Sequence, residues 1–198
     1  MTNRYEKLYA EANRIIGNKT PLKEDCGLLC GGKCCKGDSE TGMLLFPFEE
    51  STLKVKEKDG VRLAVCEGKC KRYERPLSCR IFPFFPYVTA EGKIKVIPDV
   101  RGINVCPLVS HFSEIRFDRG FLYRVKKVGR LLYTDKECRR FLEETSREID
   151  MILSIMEWKP FRNRLCRYFL YGIAWLYVLP IVKYRCRKTK KLLLTKGW

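Results

Sequence analysis

Histidine is almost missing from this chain, with His111 the only one in 198 residues. Catalytic zinc sites draw their three protein ligands largely from histidine and carboxylates, so a His-rich zinc hydrolase is excluded. A Cys–His nucleophilic pair has only His111 to use, and Ser110-His111-Phe112 reads as a turn or helix start. No G-x-G-x-x-G or G-x-x-x-x-G-K-[ST] string occurs, which leaves nucleotide binding by a Gly-rich loop without support. No separate domain for binding S-adenosylmethionine is visible, and there is neither an internal repeat nor a low-complexity linker. The opening stretch MTNRYEKLYAEANRII is charged throughout. It lacks the apolar core and small-residue cleavage site of a secretory signal, so the chain is expected in the cytoplasm.

Acidic residues are missing from the C-terminal end. All 23 lie at or before Glu157, and the eleven lysines and arginines that follow carry +11 of the net +17. The body before them is only +6, so the basic character belongs mainly to the tail. Within the tail, Tyr168–Val182 is uncharged and aromatic, with arginines before it and a Lys/Arg cluster after it. Its 15 residues fall short of the roughly 20 that a membrane-spanning helix needs. Two fates stay open for it: a helix packed on the protein's own core, or a peripheral contact with an anionic membrane surface through Trp175, the tyrosines and the flanking cations. Nucleic acid is not the favoured partner, because the basic residues bracket an apolar run instead of interleaving with single aromatics.

The composition, 45% hydrophobic and 12% aromatic, is that of a globular protein. A chain of this length buries a sizeable core without cross-links. Its 11 cysteines are therefore not needed as staples. In a reducing compartment stable disulfides are rare, and cysteines at this density are more often metal ligands or redox groups.

Patterning divides the chain into four stretches. Over residues 1–19, Tyr5, Leu8, Tyr9, Ala12, Ile15 and Ile16 recur at helical spacing, and Gly17 closes the helix. Residues 20–110 hold short apolar runs punctuated by cysteine, glycine and proline: Met43–Phe46, Val61–Val65, Ile81–Phe82 and Ile94–Ile97. This reads as loops and short strands pinned by a metal. Residues 111–160 return to helix. Phe121, Leu122, Val125, Val128 and Leu132 mark one, with Gly129 as a tolerated cost. Thr134 to Glu137 reads as a capping box opening a second, whose apolar face includes Cys138, Phe141, Leu142 and Ile149. Residues 161–198 are the basic, aromatic tail. The expected fold class is α+β and irregular, a Cys-rich domain packed on flanking helices.

The strongest signal is Cys26-Gly-Leu-Leu-Cys30-Gly-Gly-Lys-Cys34-Cys35. Thiolates are soft ligands that suit zinc and iron–sulfur clusters, and four complete a tetrahedral shell. Ligands this close in sequence must fold back on one ion, which calls for residues tolerant of unusual φ/ψ; Gly27, Gly31 and Gly32 are placed for it. Lys33, Lys36, Lys69 and Lys71 flank the cysteines and would offset thiolate charge. Cys66-Glu-Gly-Lys-Cys70 adds a second pair, Cys79 sits between Pro76 and Pro83, and Cys106 precedes Pro107. These eight are the candidate metal ligands. Cys138, Cys166 and Cys186 read as ordinary buried thiols.

Cys26, Cys30, Cys34 and Cys35, then Cys66 and Cys70, then the string RPLSCRIFPF at 75–84 resemble the bacterial and archaeal cysteine-cluster family of zinc- or iron-chelating proteins. That family has a CxxCxxCC-type pattern, and flagellin lysine-N-methylases are among its relatives. The resemblance spans about residues 24–110 and departs in one respect: both early gaps here are three residues long, which leaves open how Cys26 and Cys30 divide the ligand roles. It implies a metal-binding protein holding zinc or an iron–sulfur cluster in a structural or redox role. By the same analogy an alternative is a cluster-dependent enzyme such as a protein lysine methylase. A peripheral membrane adaptor working through the basic tail is the third class. At least one of Arg75 and Arg80 is expected beside the thiolates, where a guanidinium would balance their charge.

Overall fold

The N-terminal helix α1, Thr2–Ile16, turns Tyr9, Ala12 and Ile16 into the core and stops at Gly17, whose φ of 56° suits a residue without Cβ. The computed structural model describes residues 2–35, 42–58, 60–66, 68 and 71–156. The tail segments Tyr168–Val182 and 161–198, with Cys166 and Cys186, lie outside them, as do Lys36, Lys69 and Cys70. Met1–Ile155 makes one compact unit.

After α1 comes a single helical turn, α2 (Gly27–Cys30), and a 3-10 turn, Lys33–Cys35. A three-stranded antiparallel sheet follows, formed by β1 (Met43–Leu44), β2 (Lys54–Lys58) and β3 (Val61–Val65) in the order β1-β3-β2. Its register pairs Met43 with Ala64 and Lys54 with Val65. The short helix α3 (Leu77–Ile81) leads into an antiparallel hairpin of β4 (Phe84–Val88) and β5 (Ile94–Pro98), with Phe84 opposite Pro98 and Val88 opposite Ile94. One more turn, α4 (Pro107–Ser110), precedes two long helices, α5 (Arg119–Thr134) and α6 (Lys136–Ile155). The fold is thus mixed α+β and irregular.

The core lies where α5 meets α1, α6 and the β4–β5 hairpin. Phe121, Val125, Val128 and Leu132 on α5 and Cys138, Leu142 and Ile149 on α6 are all fully buried. Those positions follow the apolar periodicity of the two segments. Polar ties also join α5 to α1 and α6 to β4. Arg124 donates to the Ile15 carbonyl at 2.7 Å, and the Val88 amide donates to Ser146 Oγ at 2.9 Å.

Two expectations need correction. Gly129 is a packing requirement and no mere tolerated cost: a Cβ there would lie 2.4 Å from Pro86 Cβ and 2.9 Å from the Ile94 side chain, so α5 approaches the hairpin only because glycine stands there. The cap of α6 is Asp135, whose Oδ1 accepts the amides of Glu137 at 3.0 Å and Cys138 at 3.1 Å. Thr134 instead turns back, donating to Leu131 O at the end of α5. Among the described residues no helix is long and apolar enough to cross a membrane.

Candidate functional site

Five local structures bring the candidate ligands together. Asp25 Oδ1 accepts the Gly27 amide at 3.0 Å and starts α2, which places Cys26 at its N-cap and Cys30 at its end. Gly31 and Gly32 then take φ of 60° and 67°, a left-handed pair that reverses the chain into the turn carrying Cys34 and Cys35. Gly27, by contrast, has no left-handed φ. Cys66 follows the last residue of the central strand β3 and is buried. Cys79 rides on α3 behind Pro76, and Cys106 is the buried N-cap of α4, held by a 2.8 Å bond from its amide to Gly102 O.

Cys26, Cys30, Cys34, Cys35, Cys66, Cys79 and Cys106 all line one cavity of about 70 Å³. Arg75 and Arg80 line it too, and Arg80 also donates to Asn13 Oδ1 on α1 at 2.7 Å. Cys138 is not among its walls; it is fully buried in the helical core, 3.5 Å from the Tyr9 hydroxyl. Lys33 is exposed on the turn, while Lys71 is exposed and pairs with Glu74 at 4.0 Å.

The electrostatics of this cavity disfavour several thiolates at once. Burial, then Asp25, Cys106 and Cys30, push the Cys26 thiol up to about 11, with Arg75 opposing. Burial raises the Cys106 thiol, while the nearby amides of Leu108 and Val109 pull the other way. Cys35 is raised by its contact with Cys34 and by burial, against Arg75 and Cys66. Cys34, exposed at the rim, is held below its ordinary value by Cys35. A bound cation relieves mutual repulsion of this kind, and metal binding displaces the thiol protons.

Thiol sulfur is a soft donor, so by type alone the set suits a soft metal. In a tetrahedral zinc–thiolate shell the sulfurs stand roughly 3.8 Å apart, as Zn–S bonds of about 2.3 Å require. Cys34 Sγ and Cys35 Sγ are 4.0 Å apart. Among the described residues no three histidine, cysteine, aspartate or glutamate groups are gathered closely enough to hold an ion, so the remaining sulfurs line the cavity without closing on one point.

Two further polar residues, neither of them a wall of the cysteine cavity, have no sequence motif. Glu49, 2% exposed, accepts the Phe46 amide at 3.1 Å and the Leu77 amide, joining the segment that follows β1 to the start of α3. It thereby links the sheet that leads to Cys66 with the helix that carries Cys79. His111 lies beside Ser110 Oγ at 2.9 Å on a second, open cleft of about 440 Å³ that shares Cys30 and Cys106 with the cysteine cavity. A pattern of buried polar residues cannot be read from Pro-Phe-Glu-Glu at 47–50, and a single histidine carries no spacing signal. Comparison with family models, with curated proteins and with solved structures found no match.

Proposed function

We propose that this protein is a metal-binding protein whose cysteine cavity holds zinc or an iron–sulfur centre. One observation carries the reading: seven cysteines from five separate parts of the chain converge on one small cavity that two arginines also line. Buried core thiols have no reason to converge, since a thiol packs as a small apolar group wherever space allows. The resemblance to the cysteine-cluster family points the same way. Cys34 and Cys35 would supply two neighbouring ligands, with Cys79 and Cys70 the next candidates and Cys26, Cys30, Cys66 and Cys106 completing the set. The arginines would balance thiolate charge. The metal supplies the cross-link that short strands and single-turn helices lack, and in the iron–sulfur case a redox centre. Thiols kept for this purpose need a reducing compartment, so we place the protein in the cytoplasm.

Anaerobic purification followed by metal analysis and a visible spectrum tests the reading. A brown protein with a broad visible band means iron–sulfur, and a colourless one with stoichiometric zinc means a structural site. A colourless protein with neither metal contradicts the proposal.

A further inference from the structure

The helix α5 differs from its neighbours in its charge. Its sequence RGFLYRVKKVGRLLYT holds Arg119, Arg124, Lys126, Lys127 and Arg130 and no acid at all. An ordinary solvated helix face mixes signs, as α1 does with its Arg14–Glu11 pair at 2.6 Å and α6 with Arg140–Glu144 at 2.9 Å. On α5 the exposed residues Arg119, Tyr123, Lys127 and Arg130 follow one another at helical spacing along one strip roughly 16 Å long. Arg119, Lys127 and Arg130 form no ion pair among the described residues. Three acids beside the helix are engaged elsewhere: Asp118 accepts the Phe121 amide, Asp135 caps α6 and pairs with Arg4, and Glu143 accepts the Tyr133 hydroxyl. Tyr123 is 57% exposed, with the Lys127 ammonium 5.1 Å from its ring centre.

We propose that this strip of α5 is a docking surface for an anionic membrane, on which Arg119, Lys127 and Arg130 meet lipid headgroups and Tyr123 sits at headgroup depth. Cations beside an acidic bilayer and an amphipathic aromatic at its interface are the chemistry that recognises such a surface. Nucleic acid fits less well. A helix reads duplex DNA by entering a groove about 12 Å wide. Here α5 packs on α1, α6, β4 and β5, which leaves one strip open. One tyrosine is also no series of platforms for stacked bases.

Co-sedimentation of the full-length chain with phosphatidylcholine vesicles, with and without phosphatidylglycerol, tests this at low and high salt. The chain should bind only the anionic vesicles and release them at high salt. Lys127→Gln should weaken binding roughly fivefold and Lys127→Gln/Arg130→Gln about 30-fold. Arg139→Gln/Arg140→Gln on α6, which removes the same charge, should lose far less, and circular dichroism of all three variants should match the parent. The proposal is overturned if the parent ignores anionic vesicles, if the α5 and α6 pairs lose equally, or if the α5 pair binds as the parent does. It is also overturned if the α5 pair loses affinity for a DNA duplex but not for vesicles.

Discussion

Glu49 is a carboxyl group 2% exposed, with two backbone amides donating to it. Burial pushes its pKa up to about 7, against the two amides and Arg62. The folded state therefore holds a proton that the unfolded chain releases near 4.5. The resulting stability is fully present below the unfolded value and is lost as pH rises through about 7, to a total of about 3 kcal/mol. Denaturant unfolding should show stability falling between pH 5 and pH 8, and Glu49→Gln should flatten that part of the profile. An unchanged slope in the variant would assign the pH dependence to other groups. Among the cysteines, Cys34→Ser and Cys79→Ser should each lose most of the bound metal and several degrees of melting temperature. Cys138→Ala should keep its metal, because that thiol sits in the helical core and not on the cavity, and should cost only about 1 kcal/mol for the small void. Full metal and full stability in both serine variants would break the ligand assignment.

At the scale of elements, two glycine- and cap-dependent joints decide how the helices meet. Alanine at position 129 improves helix propensity by about 1 kcal/mol, yet its Cβ would meet Pro86 at 2.4 Å. Overpacking should win, so Gly129→Ala should destabilise by about 1–3 kcal/mol in thermal unfolding. Asp135→Ala removes two capping bonds and the partner of Arg4, and should cost about 1–2 kcal/mol, while Thr134→Ala stays near neutral. The long helices were legible from periodicity because their buried faces recur at every turn, as Phe121, Val125, Val128 and Leu132 show. The cap slipped by one residue because both Thr134 and Asp135 are good caps, and only the turn geometry selects between them. Strand β2, Lys-Val-Lys-Glu-Lys, carries one apolar residue and gave no alternation to read; it exists because β3 offers it a hairpin partner. Strand β4 contains Pro86, and it pairs on only one side, where proline is tolerated.

For the molecule as a whole, the chain divides its stabilising work. The α1, α5, α6 and β4–β5 assembly has a continuous apolar core, whereas the cysteine region relies on turns of three to five residues and a two-residue strand. The cysteines that would meet were legible as a set, because Gly31 and Gly32 mark the reversal and Pro76 and Pro107 brace Cys79 and Cys106. The tie supplied by Glu49 and the cleft beside His111 were not, since each depends on residues distant in sequence. Chelation should therefore lower the melting temperature and expose the cysteines to thiol reagents, with most of the helical circular dichroism retained at room temperature. The central claim is that the cysteine cavity holds a metal through sulfur. X-ray absorption at the metal edge of the anaerobically purified chain measures this directly. A first shell of sulfur alone, at about 2.3 Å, is the predicted result; a shell of oxygen and nitrogen, or no stoichiometric metal to measure, would contradict it.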